Sequence, residues 1–188
     1  MPEPLRIEGF AIVSSDGMLA DRAGHMPDAL KIEADQRFFA TSLDRVEAVV
    51  HGRHSDEGQP NSARRRRLIL TRRVSAIEPD PANPMARLWN PAGVSFSAAC
   101  AALGVARGTV AIIGGTDVFG HFLDIGYDAF HLSRANKVRL PGGRPVFPQV
   151  PAQTPEDVLT SHGLHPGERR TLDAQADATL ATWTRSAP

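Results

Sequence analysis

The sequence predicts an α/β fold built on a mostly parallel central sheet with helices on both faces. Two observations predict it. Short apolar runs alternate with helical patterns along the chain, and 41% hydrophobic with 22% charged residues is the composition of an ordinary globular protein. Alternation favours parallel pairing because a crossover helix returns the chain to the same end of the sheet. At 188 residues, the chain is predicted to form a single domain spanning residues 1–188.

The first half begins with a strand, a helix and two further strands. Residues 10–14 form an apolar run that ends at a turn containing Asp16 and Gly17. A helical pattern follows over about 29–43, with Asp28 as its predicted N-cap. The next predicted strands are residues 46–50 and 68–71.

The second half begins with residues 75–93, whose prolines and glycines predict a long irregular loop. Ser95 is the predicted N-cap of a helix over 95–106. The remaining predicted elements are strands at 109–113 and 128–132, a short helix ending near 123, and an alternating, strand-like end at 180–185.

Composition excludes several classes of protein. Basic and acidic residues number 21 each, so the basic excess typical of a nucleic-acid binder is missing. A single cysteine, Cys100, forms no intrachain disulfide or Cys-x-x-Cys zinc site, and the histidines show no metal-ligand spacing. No apolar run approaches the ~20 residues of a membrane span, and no signal peptide is recognisable. We therefore expect a cytoplasmic protein without metal, membrane or nucleic-acid partners.

Three loops that follow predicted strands carry the residues of a phosphate site. Glycine permits close backbone approach, helix N-termini supply free N–H groups, and arginine donates bidentate hydrogen bonds. Alone, each such loop is more often a plain turn or a solvated surface than a binding site, but parallel strands bring all three to one edge. The loops are Gly52-Arg53-His54-Ser55, Thr71-Arg72-Arg73 and Gly114-Gly115-Thr116.

Asp35 is the second candidate feature. On a helix, its neighbours three or four residues away are Ile32, Phe38 and Phe39, so its carboxylate lies on an apolar face. Such an acid is either functional, with a raised pKa, or a structural group that is partly exposed or satisfied by backbone donors.

In order, these motifs resemble the dihydrofolate reductase-like superfamily, which includes dihydrofolate reductase and the reductase domain of riboflavin biosynthesis. The resemblance covers about residues 7–148 and implies a three-layer sandwich closed by an antiparallel C-terminal hairpin. The motifs are AIVSSDGMLA, the acid-x-x-x-Phe helix of Asp35 and Phe39, VVHGRHS, RRLILTRR, AIIGGTDVF and GGRPVFP.

The resemblance implies NADPH as the cofactor. It places the 2′-phosphate at Thr71 and Arg72, and implies a cis peptide between Gly114 and Gly115. Leu19 and Ala20 match the loop that covers the nicotinamide. Two further sets match the loops around the phosphates and the nicotinamide: Gly52, Arg53, His54 and Ser55, and Gly114, Gly115, Thr116, Asp117 and Val118.

For the substrate, the resemblance implies that Asp35 is the catalytic acid that holds a nitrogen heterocycle, with Phe39 packed on the ring. Arg65 matches the arginine that binds the glutamate carboxylate of folate, although the four-arginine run leaves that register open. SSDGMLA and GGRPVF favour the riboflavin-type branch, whose members are commonly homodimers, and residues 21–34 lack the tryptophan usual in dihydrofolate reductases.

The sequence therefore predicts an NADPH-dependent reductase of a pyrimidine or pteridine, most like 5-amino-6-(5-phosphoribosylamino)uracil reductase. Two alternatives stay open: a dihydrofolate reductase, and a non-catalytic nucleotide-binding protein that retains the fold.

Overall fold

The computed structural model describes residues 4–186. The first eight strands and helices are β1 (Leu5–Ser14), β2 (Met18–Ala20), α1 (Glu33–Leu43), β3 (Ala48–Gly52), β4 (Arg67–Leu70), β5 (Ile77–Asp80), β6 (Asn83–Trp89) and α2 (Phe96–Ala102). The remaining eight are β7 (Gly108–Ile112), α3 (Thr116–Ile125), β8 (Ala129–Ala135), β9 (Arg144–Pro145), α4 (Pro155–Ser161), β10 (Leu164–Pro166), β11 (Arg170–Asp173) and β12 (Ala178–Arg185). Short 3-10 turns cover Asp28–Leu30 and Ser62–Arg64.

Ten of the strands form one sheet in the order β10-β12-β8-β1-β7-β3-β4-β6-β5, with β11 paired to β12. Its centre is parallel: β1 pairs with β7 and β8, β3 with β7 and β4, and β4 with β6. The two ends are antiparallel, through β5 on β6 and through β12 on β8, β10 and β11. The predicted fold class and the C-terminal hairpin are confirmed.

Helices cover both faces because successive side chains of a strand point to opposite sides. On one face, Phe10, Val49 and Ala111 pack with Leu43 of α1. On the other, Val50, Val110 and Phe130 belong to the main core, which includes side chains of α2, α3 and α4. The sheet is therefore the middle layer of three.

The prediction of an irregular loop over 75–93 is wrong. The segment contains β5 and β6, an antiparallel pair, and β6 extends the parallel sheet beside β4. Its prolines are compatible with this because Pro79 lies on β5, an edge strand where a missing N–H donor removes no ladder hydrogen bond from the sheet interior.

Helix ends also differ from the prediction. Residues Asp28–Leu30 form a separate 3-10 turn, α1 begins at Glu33, and the Asp28 carboxylate pairs with Lys31 at 2.8 Å instead of capping the helix. Ser95 is the N-cap of α2, as predicted, and its hydroxyl accepts from the Ala98 amide at 3.3 Å. Helix α4 was not predicted, although Thr154 caps it and Pro155 occupies its first turn.

Candidate active site

The three predicted loops lie along one edge of the sheet. They follow β3, β4 and β7, which are parallel neighbours in the order β7-β3-β4. Gly52 at the end of β3 is level with Leu70 of β4, and its amide donates to the Gly114 carbonyl at 2.8 Å. The carboxyl ends of these strands thus bring the three loops together, as the parallel arrangement predicts.

Glycines let the backbone segments at this edge approach closely. The Gly114–Gly115 peptide is cis, as the resemblance implies, and Gly114 has a φ of 109°, a region that favours glycine. A Cβ built on Gly115 would lie 3.0 Å from the Ser55 hydroxyl oxygen, and one on Gly52 would lie 3.4 Å from Cγ2 of Val118. Both glycines therefore line a narrow gap between β3 and the start of α3.

Helix α3 begins at this gap and lacks a side-chain cap. Gly115 occupies its N-cap position without offering a side-chain acceptor, so the amides of the first turn point to this edge. The Thr116 hydroxyl donates to the Pro145 carbonyl, Asp117 is exposed, and the Val118 side chain is buried in the core. The Val118 side chain therefore belongs mainly to the core and only borders the gap at Gly52.

The basic residues of the other two loops are exposed at the same edge. Arg53 follows β3 directly, and Arg72 lies two residues beyond the end of β4. Thr71, which directly precedes Arg72, is buried, and its hydroxyl accepts a hydrogen bond from the Arg73 amide at 3.1 Å. The loop after β4 is thus held by its own hydrogen bond while its arginine side chains remain available to a ligand.

A cavity of about 360 Å³ opens beside this edge, on the α1 face of the sheet. Seven sequence-predicted residues line it: Leu19, Ala20, Asp35, Phe39, His54, Ser55 and Gly115. The cavity therefore joins the predicted substrate acid to two of the three predicted loops. The other predicted cofactor residues lie along the sheet edge outside its lining.

Asp35 is the buried carboxylate of this cavity. It is 8% exposed, in the first turn of α1, and burial raises its pKa to about 6, while the nearby Ser133 hydroxyl partly opposes the rise. Burial penalises the charged form of a carboxyl group because water is lost around it. A group with a pKa close to neutrality can act as a proton donor or acceptor near neutral pH.

An aromatic wall next to Asp35 was not predicted. The rings of Phe10 and His131 stack with centroids 4.5 Å apart, and Phe38 lies 5.7 Å from His131. His131 is held from both ring nitrogens, by Glu8 at 2.9 Å and by Thr182 at 2.9 Å. These contacts fix the imidazole plane as one wall of the cavity.

No family model matches this sequence, and no curated protein matches it. Solved structures do. A "putative riboflavin biosynthesis protein" from Shewanella sp. PV-4 matches with a TM-score of 0.68 and 20% identity over 97% of this chain and 99% of that chain. Dihydrofolate reductase from Enterococcus faecalis, complexed with NADP(H) and RAB-propyl, matches with a TM-score of 0.60 and 14% identity over 100% of both chains.

The chain has the dihydrofolate reductase-like fold. Both matches extend over nearly the whole length of either protein, which confirms the resemblance found in the sequence motifs at the level of fold.

Within this dihydrofolate reductase-like fold, Arg65 lies outside the cavity lining. Its guanidinium is buried and donates to Asp44 at 2.8 Å and to Glu57 at 3.1 Å. Arg65 was predicted to bind a substrate carboxylate, but its side chain pairs with acids of the protein and does not line the cavity.

A second cavity, of about 450 Å³, lies on the opposite face of β8 and β12, beside Leu132, Arg134 and Trp183. None of the predicted site residues lines it, so we assign the chemistry to the smaller cavity. Within residues 4–186, no cluster of three metal-ligating side chains occurs, and no helix is long and apolar enough to cross a bilayer.

Proposed function

We propose that this protein is an NADPH-dependent reductase that acts on a pyrimidine or pteridine. One observation carries the proposal: Asp35, a buried carboxylate with a raised pKa, shares a cavity with residues of the two glycine-containing loops at the carboxyl edge of the sheet. The dihydrofolate reductase-like fold supports a reductase, because the E. faecalis neighbour is complexed with NADP(H).

The residues at the sheet edge fit a phosphorylated dinucleotide. The uncapped first turn of α3 offers amide donors and a positive dipole end to a pyrophosphate. Gly52 and Gly115 leave the gap where a Cβ would meet Val118 or Ser55. Arg53 and Arg72 would bind the phosphates, with Arg72 on the adenosine 2′-phosphate because it follows the next strand outward from the Gly52 loop.

When bound in this way, NADPH supplies a hydride. The protein's own residues determine what the hydride meets. Leu19 and Ala20 line the cavity from β2 and would cover the nicotinamide, and Phe39 presents an aromatic side chain for the substrate ring. Their apolar surfaces exclude water from the reacting atoms.

Asp35 would hold the substrate through its ring N–H and amino groups, which can donate two parallel hydrogen bonds to one carboxylate. With a pKa of about 6, the ionised form of the carboxyl group exceeds the protonated form roughly tenfold near pH 7. The protonated form is therefore still accessible during the reaction. Reduction of a C=N bond adds the hydride to carbon and a proton to nitrogen, and the Asp35 carboxylate favours protonation of that nitrogen.

Within this class, the sequence motifs favour a riboflavin-type reductase over a dihydrofolate reductase, and the match to the Shewanella protein supports that branch. Both candidate kinds of substrate would present a nitrogen heterocycle to Asp35, and they differ in the substituent that the ring carries.

The test is a spectrophotometric assay of NADPH oxidation with a panel of pterins and aminouracils, for the wild type, Asp35→Asn and a control, Glu33→Gln. Asp35→Asn should retain NADPH affinity in a fluorescence titration and lose turnover by about 10²-fold or more, the usual size of a positioned acid–base contribution. Glu33 is an exposed acid of the same helix, paired with Arg37, so Glu33→Gln should retain turnover. A fully active Asp35→Asn, or no NADPH binding, would contradict the proposal.

A further inference from the structure

Two buried arginines that contact lining residues of the cavity are already paired within the chain. Arg65 donates to Asp44 and Glu57, and Arg67 donates to Glu57 at 2.7 Å and to Asp56 at 3.1 Å. Ser62 takes two further hydrogen bonds from Arg67, through its carbonyl and its hydroxyl. The remaining terminal nitrogen of Arg65, Nη2, is buried without a hydrogen-bond partner among the described residues, and neither arginine lines the cavity.

This ion-pair cluster has more acid than base. Two arginines face three carboxylates, those of Asp44, Asp56 and Glu57, so the cluster carries a net charge of −1 when all are ionised. The arginine side chains are only 7% and 4% exposed, whereas that of Asp56 is 70% exposed. The exposed part of the cluster is therefore mainly the Asp56 carboxylate, and the two guanidinium groups are buried.

Two acids of this cluster, Asp56 and Glu57, belong to the cavity lining, as does Asp35. Among the described residues that line the cavity there is no lysine or arginine. An anionic group of a ligand would lose its hydration there and meet like charge without a cation to pair with. In the low dielectric of a partly enclosed site, such repulsion is several times stronger than in bulk water.

Three exposed arginines lie next to lining residues, and one of them, Arg37, is paired with Glu33. Arg170 on β11 has its guanidinium carbon 5.3 Å from the centroid of the Phe38 ring, which lines the cavity. Arg53 precedes the lining residue His54 and belongs to the loop we assign to the cofactor. Arg170 is therefore the cation that could bind an anionic group of a substrate at this cavity, and it is tested below.

We propose that the substrate of this cavity carries no anionic tail: its heterocycle is substituted by neutral or cationic groups, and not by a glutamate carboxylate or a phosphate. This inference rests on the proposed function and narrows its substrate class. Glu57 accepts from Nε of Arg65 and Nη2 of Arg67, so the carboxylate held by these two donors is the protein's own.

The experiment uses two ligand pairs that share a ring and differ in charge: 7,8-dihydrofolate with its dimethyl ester, and 5-amino-6-(ribitylamino)uracil 5′-phosphate with its unphosphorylated form. Binding to the protein loaded with NADP⁺, which has no hydride to transfer, is measured by quenching of tryptophan fluorescence. We expect the neutral member of at least one pair to bind tenfold or more tightly than its anionic partner. Equal or tighter binding of the anionic members would overturn the inference while leaving the reductase proposal intact.

The variant Asp56→Asn isolates the electrostatic cause, because this side chain is exposed and asparagine removes the charge while its amide oxygen can still accept from the buried Arg67. It should strengthen binding of the anionic ligands several-fold and leave the neutral ones unchanged. Glu33→Gln, an exposed acid outside the cavity, should change neither ligand class.

Arg170→Ala distinguishes the alternative. If the tail is not bound, this variant leaves all four affinities unchanged apart from small packing effects on Phe38. A selective loss of anionic-ligand affinity would show that Arg170 anchors a tail and would overturn the inference. Failure of all four ligands to bind, with NADPH bound normally, would overturn both proposals.

Discussion

The Gly52 amide donates a 2.8 Å hydrogen bond to the Gly114 carbonyl, and this bond joins the loops after β3 and β7. It is a contact between two backbones, so no side chain intrudes between the loops. The neighbouring Gly115 and the uncapped start of α3 extend the same side-chain-free surface. The edge of the sheet formed by these two loops and the start of α3 is therefore built mainly from backbone, which explains why glycines in the sequence predicted it.

Replacing Gly52 by alanine should weaken NADPH binding and leave the fold intact. The new methyl group would lie at ordinary contact distance, 3.4 Å, from Cγ2 of Val118, but would fill the gap beside Gly114 and Gly115. We expect the Kd for NADPH in a fluorescence titration to rise about tenfold, equivalent to ~1.4 kcal/mol. The unfolding temperature should change little, and unaltered NADPH affinity would place the cofactor elsewhere.

Asp35 should make the stability of the protein depend on pH. Burial raises its pKa to about 6 from an ordinary value of 3.8, so between about pH 4 and pH 6 the folded protein binds more protons than the unfolded chain. Stability therefore falls as the pH rises through this window. The shift corresponds to about 3 kcal/mol.

Chemical denaturation of the wild type and Asp35→Asn at a series of pH values tests this linkage. The asparagine variant lacks the titrating group, so its stability relative to wild type should increase by about 3 kcal/mol from about pH 4 to about pH 7. Parallel stability curves for the two proteins would show that Asp35 is not buried as described.

The local sequence patterns predicted the parallel core and the positions of the three loops because both depend on short-range signals. Apolar runs of β3, β4 and β7 and the glycines after them suffice to place one edge of a sheet. The pattern failed for 75–93, where Pro79 on the edge strand β5 and Pro84 at the start of β6 are indistinguishable in sequence from prolines in a loop. Whether such a segment pairs depends on a neighbouring strand, which local sequence does not specify.

The arginine run shows the same dependence on long-range contacts. Arg64 and Arg66 are exposed, as expected of a solvated run, while Arg65 and Arg67 are buried in ion pairs with Asp44, Asp56 and Glu57. The period-two spacing of His131 and Ser133 predicts that both side chains lie on the same face of a strand. That this face lies beside Asp35 follows only from the pairing of β8 with β1, which local sequence does not specify.

Removing the Arg67 guanidinium should destabilise the protein strongly. Arg67→Met leaves Glu57 and Asp56 without this donor, and breaking a buried ion pair from one side usually costs about 3–5 kcal/mol. Burial works against ionisation of Glu57, but the hydrogen bond from Arg67 and its other donors outweigh it and hold the pKa of Glu57 below its usual range. The ionised Glu57 stabilises the fold at neutral pH, and this contribution is lost as the pH falls through the lowered pKa.

The matched control is Arg64→Met, which changes the same residue type in the same run at an exposed position. Denaturant titrations at neutral pH should show a large loss of unfolding free energy for Arg67→Met and little change for Arg64→Met. Similar losses for both variants would contradict the buried cluster.

Arg72 should determine the preference for NADPH over NADH. It is exposed just beyond β4, the strand next to β3 on the side away from β7, where the adenosine end of a dinucleotide crossing this edge would lie. Its guanidinium can donate two hydrogen bonds to a 2′-phosphate, a group that NADH lacks. Arg72→Ala should therefore raise the Kd for NADPH about tenfold, or ~1.4 kcal/mol, and leave the Kd for NADH unchanged.

The control is Arg107→Ala, which should alter neither affinity. Arg107 is exposed just before the amino end of β7 and thus lies at the opposite edge of the sheet. Equal weakening of both nucleotides in Arg72→Ala would show that this side chain contacts a group common to both, and not the 2′-phosphate.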